Sequence, residues 1–264
     1  MVKVYTIASG KGGTGKTTVS VNLGTMLAEL GKVTYLMDAD IGMANVGLLL
    51  GLQDAPVTLH EVLAGKGNIA DAIYEGPAGL KVIPSGISLQ GFQEADPDRI
   101  REVLTELVKR CEFLLIDAPA GISKDGVVPL AVADEVILVV NPELSSIVDA
   151  LKTKILTEVV GGHIKGAIIN RVDPDKTEVI TRKMEKVLGV RVLGIIPEDP
   201  NIRRSSSSKI PIVIRYPASP AAKAIRRIAS DMIGVAYKEE ETVVVKEGFI
   251  DRFTKALFKK KQKS

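Results

Sequence analysis

Along this chain, short runs of β-branched and aliphatic residues alternate with longer stretches whose apolar positions recur every three or four residues. The short runs are 4–8, 33–37, 80–83, 113–116, 135–140, 164–169 and 191–195. Apolar runs of this length, with no polar alternation, predict strands buried on both faces. Between them, 97–110, 144–160 and 177–188 carry apolar residues at helical spacing, for instance Ile100, Val103, Leu104, Leu107 and Val108. A further helical stretch runs from Thr17 to about Leu30. Strands alternating with helices predict an α/β fold, a mostly parallel sheet with helices on both faces and a ligand site at the carboxyl ends of the strands. Polar residues do gather at those ends: Asp38 and Asp40, Asp117, Asn141, and Asn170 with Arg171.

Composition narrows the class. The chain has 264 residues, 45% of them hydrophobic, enough for one substantial core. No apolar run approaches the roughly 18 to 20 residues that span a bilayer, and Met1-Val2-Lys3 leads straight into a strand, so a cytoplasmic protein is expected. Cys111 is the single cysteine, which excludes a disulfide framework or a cysteine-built metal site within the chain and leaves it a packing role. His60 and His163 have no neighbouring ligand set and are expected as surface or polar-core side chains.

The candidate chemistry begins directly after the first strand. The segment from Gly10 to Thr17 fits G-x-x-x-x-G-K-T, in the order strand, loop, helix that a phosphate-binding loop requires. Gly10, Gly12, Gly13 and Gly15 let backbone N–H groups close around phosphates, with Thr14 between them. Lys16 reaches the β and γ oxygens, and the Thr17 hydroxyl suits Mg²⁺. Thr17 and Thr18 open the helix, whose positive end faces the same phosphates. Lys11 is not required by the general pattern. Asp117, at the end of an apolar strand, is placed to hold Mg²⁺ through a water. Asp38 and Asp40 are two carboxylates two residues apart at a strand end, which on the residues alone also fits ordinary turn chemistry.

Lys11 within Lys-Gly-Gly-Thr-Gly-Lys-Thr-Thr, followed by Asp38-Ala-Asp40-Ile-Gly and Asp117-Ala-Pro-Ala-Gly, closely resembles the deviant Walker A ATPases and, within them, the MinD family. The resemblance covers nearly the whole chain. It implies an Mg-ATP-hydrolysing homodimer in which Lys11 reaches the phosphates of the partner subunit, Asp40 directs the attacking water and Asp38 lies near the metal shell through water. The catalytic set is then Lys11, Lys16 and Asp40. Asn170 and Arg171 resemble the adenine-contacting strand end, and Pro197, Glu198 and Asp199 resemble the loop on the other side of the base. The stretch 141–149 is similar to the family's, which places partner contacts, including those of an unidentified protein activator, on the helix that follows. Iron–sulfur relatives need cysteines absent here, arsenite-pump relatives carry two phosphate loops, and a guanine site needs an N-K-x-D stretch, of which none is present.

The chain is expected to divide into an ATPase domain at 1–237, a linker at 238–248 and a basic amphipathic helix at 249–264. At about 100° per residue, Phe249, Ile250, Phe253, Ala256 and Leu257 share one side and Asp251, Arg252, Lys255 and Lys259 the other, with Phe258 off the apolar stripe. From Phe249 to Ser264 six Lys and Arg oppose one Asp, a net +5, which leaves the other 248 residues at −2 within the total of +3. Phe249, Ile250, Phe253 and Leu257, beside Lys259 and Lys260, suit an anionic membrane surface. The tail is similar to the MinD membrane-targeting helix, with more lysines, and implies reversible peripheral membrane association and spatial regulation such as division-site selection. Two other readings stay open. ParA-type ATPases bind DNA nonspecifically through domain-borne basic residues, for which Arg203, Arg204, Lys209, Arg215, Arg226 and Arg227 are candidates. Flagellum-number regulators of the MinD-like group keep the membrane helix.

Overall fold

The computed structural model describes residues 2–86, 94, 96, 99–121 and 124–237. Eight strands form one sheet: β1 Lys3–Ala8, β2 Thr34–Asp38, β3 Tyr74–Glu75, β4 Lys81–Ile83, β5 Phe113–Asp117, β6 Glu135–Val140, β7 Ile164–Val172 and β8 Val192–Pro197. Their order across the sheet is β3-β4-β2-β5-β1-β6-β7-β8. All pairings are parallel except that of the short edge strand β3 with β4. The expected parallel α/β sheet is therefore present. The strand β3 had no signature in the sequence, because two residues are too few for a period.

The apolar runs are continuous because alternate residues feed two different cores. Tyr5, Ile7, Leu36, Leu115, Ile137 and Val139 pack one face, under the helices Lys16–Glu29 and Pro220–Met232. Val4, Met37, Leu114 and Ile116 turn to the other face, against Leu59–Leu63 and Ile100–Leu107, while Leu138, Val140, Ala167 and Ile169 meet Leu144–Val159 and Thr177–Leu188. Helix Lys16–Glu29 is buried along most of its length, beneath both the sheet and Pro220–Met232. It therefore lacks the one-sided pattern of a surface helix.

Helix Pro220–Met232 was legible in principle. Ser219 caps it, its hydroxyl accepting from Ala222 N at 3.3 Å, Pro220 opens the first turn, and Ala221, Ala222, Ile225, Ile228, Ala229 and Met232 are buried. The strand order turns around β1, since the chain goes to one side for β2 and to the other for β6. That switch point is where a parallel sheet leaves a crevice at its carboxyl edge. The 238–248 linker and the tail residues Phe249, Ile250, Phe253, Leu257, Lys259 and Lys260 lie outside the described residues.

Candidate functional site

The loop between β1 and helix Lys16–Glu29 takes a shape that only glycine allows at two points. Gly13 and Gly15 have φ of 78° and 87°, in the left-handed region. Gly10 is demanded by proximity instead, because a Cβ there would overlap the backbone of Asp149 in helix Leu144–Val159. The loop, with Thr18, Asp40, Asn45 and Arg171, lines a cavity of about 470 Å³. Backbone donors at a helix N-terminus in such a cleft suit a phosphate chain.

Register then sets two carboxylates side by side. Asp38 ends β2 and Asp117 ends β5, and the two are direct cross-strand partners. Asp117 is fully buried and collects three donors from one helix. Lys16 Nζ lies 2.9 Å from Oδ2, the Thr17 hydroxyl donates to Oδ2 at 2.7 Å, and the Ser20 hydroxyl donates to Oδ1 at 2.7 Å. Charge-assisted bonds of this kind, away from water, fix the carboxylate's orientation.

Asp38 is also fully buried, and both its oxygens are occupied. Oδ1 accepts from Asp40 N at 3.1 Å, and Oδ2 from Asn45 N at 2.9 Å and Val46 N at 3.0 Å. It anchors both ends of the loop that carries Asp40. Burial, and then the charge of Asp117, push the Asp38 carboxyl up to about 7, against the backbone donors and Lys16 that favour its charge. Asp40 is half-buried and also raised, chiefly by burial, while its Oδ1 accepts from Met43 N at 2.9 Å.

Lys11 does not turn into its own loop. Its ammonium lies 2.8 Å from Ser145 Oγ and 3.2 Å from Glu143 Oε2, just where helix Leu144–Val159 begins. Asn170 lies beneath the loop, with Nδ2 donating to Thr14 O at 2.7 Å and a buried Oδ1 that has no partner among the described residues. One of its two N–H donors is used on the loop, which leaves the second N–H and the carbonyl oxygen as the groups an adenine edge could use. Arg171 reaches the cavity from a left-handed conformation, φ 57°, with Glu198 at 4.0 Å. Asp199 is committed elsewhere: one oxygen caps helix Pro200–Ser207 through Asn201 N at 2.9 Å and the other accepts from Ala221 N at 3.3 Å. Pro197, Glu198 and Asp199 are not among the residues that line the cavity, and the Asp199 carboxylate holds the start of that loop.

The donor set fits Mg²⁺. Thr17 and Asp117 offer hard oxygens that already touch, and Lys16 shows that the carboxylate accepts a cation. Among the described residues no group of three or more His, Cys, Asp or Glu could hold a metal alone. The remaining ligands must come from phosphate and water, as is usual for this ion. Ser20 was missed from the sequence, though it sits one helical turn after Thr17 and so faces the same carboxylate.

The chain matches the family of CobQ/CobB/MinD/ParA nucleotide binding domains over residues 5–212. It is 50% identical over 258 residues, 98% of this chain and 97% of the other, to an uncharacterized ATP-binding protein of Methanocaldococcus jannaschii. Among solved structures it is similar to the cell division ATPase MinD of Pyrococcus furiosus, with TM-score 0.82 and 38% identity over 89% of this chain and 100% of that one. It is also similar to the septum site-determining protein MinD of Pyrococcus horikoshii complexed with Mg-ADP, with TM-score 0.80 and 36% identity over 88% and 96%.

Proposed function

This chain belongs to the CobQ/CobB/MinD/ParA family of nucleotide-binding domains, and from that premise we propose that it is a MinD-type ATPase whose hydrolysis drives a cycle between monomer and membrane-bound dimer. Its substrate is ATP and its metal Mg²⁺, held by Thr17 and Asp117, where the ion would neutralise charge on the phosphate oxygens. In the structure the Lys16 ammonium lies 2.9 Å from the Asp117 carboxylate. Phosphates compete for that ammonium, and as Lys16 moves to them Ser20 keeps the Asp117 carboxylate aimed at the metal position. Lys16 then stabilises charge on the transferred group, which is the main task in phosphoryl transfer. Asp40, at the cavity edge, orients the water that attacks. Asp38 shapes the loop that places Asp40.

The observation that carries the dimer reading is Lys11. A lysine inside a phosphate loop that turns away from its own site, toward Glu143 and Ser145, is available to a second subunit. Dimerisation would place two basic amphipathic tails on one particle, and the resulting avidity is worth roughly 10²- to 10⁴-fold over a single tail. ATP would thereby control membrane residence and the position of a bound protein partner. No helix among the described residues is long and apolar enough to cross a membrane, so attachment would be peripheral.

The test is co-sedimentation with anionic liposomes, with ATP or ADP and Mg²⁺, for the full chain and for one ending at Glu247, with competitor DNA in parallel. Binding that needs both ATP and the tail is expected. ATP-driven, salt-sensitive DNA binding without lipid binding would replace this reading with a DNA-segregation one. Five of the six candidate DNA residues have side-chain partners in the chain: Arg204 with Asn201, Lys209 with Gln53, Arg215 with Tyr216, Arg226 with Glu29 at 3.4 Å and Arg227 over the Tyr237 ring.

A further inference from the structure

We propose that His60 is a positioning residue for hydrolysis, holding the Asp40 loop in its working shape through one N–H bond to the Ile41 carbonyl. The inference rests on the reading that Asp40 directs the attacking water.

His60 lies in helix Leu59–Leu63 and is 1% exposed. The helix is fastened at its start. Thr58 N donates to Glu61 Oε2 at 2.8 Å, and Leu59 N donates to Pro84 O, at the exit of β4, at 2.9 Å. From this fixed base His60 Nε2 meets Ile41 O at 2.8 Å, with Ser85 Oγ 3.4 Å from the same nitrogen. A carbonyl can only accept, so the ring carries its proton on Nε2.

The other ring nitrogen shows why an imidazole is kept here. Nδ1 is buried and has no partner among the described residues, and the Gly86 backbone closes over it so tightly that a Cβ at Gly86 would overlap it. A buried acceptor without a donor is destabilising, and an apolar side chain of similar volume would avoid that cost. The group that compensates is the Nε2–H, and its target is the residue after Asp40.

The other bonds that shape the segment 39–43 lie at its two ends or within it: Ala39 N to Asp117 O at 2.9 Å, Asp40 N to Asp38 Oδ1 at 3.1 Å, Ile41 N to Ala39 O at 3.1 Å, Met43 N to Asp40 Oδ1 at 2.9 Å, and Asn45 Nδ2 to Met43 O at 2.7 Å. Asp38 fixes the ends, and His60 pins the middle from the neighbouring strand exit. A carboxylate that aims a water loses rate steeply with small displacements, while nucleotide binding, which depends on the phosphate loop, is indifferent to them.

His60→Gln keeps a terminal N–H donor on a flexible chain, and His60→Met has the same length without it. In the full-length protein with Mg-ATP, His60→Met is expected to lower kcat roughly ten-fold while a non-hydrolysable ATP analogue binds within about two-fold of wild type. His60→Gln is expected to recover to within roughly three-fold of wild-type kcat. Unchanged turnover in the Met variant, a parallel loss of analogue binding, or equal loss in the Gln and Met variants would each overturn the proposal. Should the Met variant fail to fold, His60→Leu replaces it in the same comparison. Asp40→Ala is assayed alongside: wild-type turnover there would overturn the Asp40 reading itself, whatever His60 does.

Discussion

Asp117 receives three donors from one helix, and two of them, Lys16 and Thr17, are the groups that the proposed cycle sends to phosphate and Mg²⁺. Ser20 alone can stay. Ser20→Ala should therefore raise the Mg²⁺ concentration for half-maximal hydrolysis by roughly 10- to 150-fold, the worth of one hydrogen bond to a charged group, and a Mg²⁺ titration at saturating ATP reads it. The glycines separate in the same way. Gly10→Ala should abolish nucleotide binding, because its Cβ would overlap the Asp149 backbone, whereas Gly12→Ala meets nothing within 4 Å and should still bind. A fluorescent-nucleotide titration of both variants checks this, and equal binding would refute the packing account. At Cys111 burial pushes the thiol up to about 11, and its Sγ lies 3.3 Å from Leu107 O. Alkylation at pH 8 should be slow until denaturant is added, in keeping with the packing role its solitary place in the sequence suggested.

On the scale of elements, the ends of β2 and β5 matter most, since register alone brings Asp38 against Asp117. The pair has a pH signature. Asp38 is raised to about 7 by burial and its neighbour, so the folded state holds a proton that the unfolded chain releases near the ordinary carboxylate value. That contribution is complete below about pH 4 and is lost as pH rises through 7. Asp38→Asn cannot titrate. Without nucleotide, its melting temperature relative to wild type should rise by a few degrees between pH 5 and 8, and a constant difference would refute the assignment. The elements themselves were unevenly legible. Strands β6 and β7 and helix Thr177–Leu188 announce themselves by long apolar runs or clear periodicity. The short helices Val46–Leu50, Leu59–Leu63 and Ile212–Arg215 do not, because five residues or fewer hold barely one turn and are stabilised by the core they cover.

For the whole molecule, the crevice at the switch point couples nucleotide to stability. Mg-ADP at about a hundred times its dissociation constant adds about 2.7 kcal/mol. For a chain of this size that should raise the melting temperature by roughly 5 to 10 °C. Lys16→Ala should remove most of the shift. By itself the sequence determined the α/β class and the phosphate loop, because periodicity and motif spacing are fixed along a few residues of chain, and its family resemblance proposed Lys11, Lys16, Thr17, Asp38, Asp40 and Asp117 as the candidate chemical residues. Tertiary structure alone decided which residues serve them. Ser20 on Asp117, Asn170 beneath Thr14, Asp38 as the anchor of the Asp40 loop and His60 on Ile41 all depend on which strands lie side by side. Local periodicity does not encode that order. It follows from how the two faces of the sheet are covered, and it turns a solitary histidine into a bond one residue from Asp40.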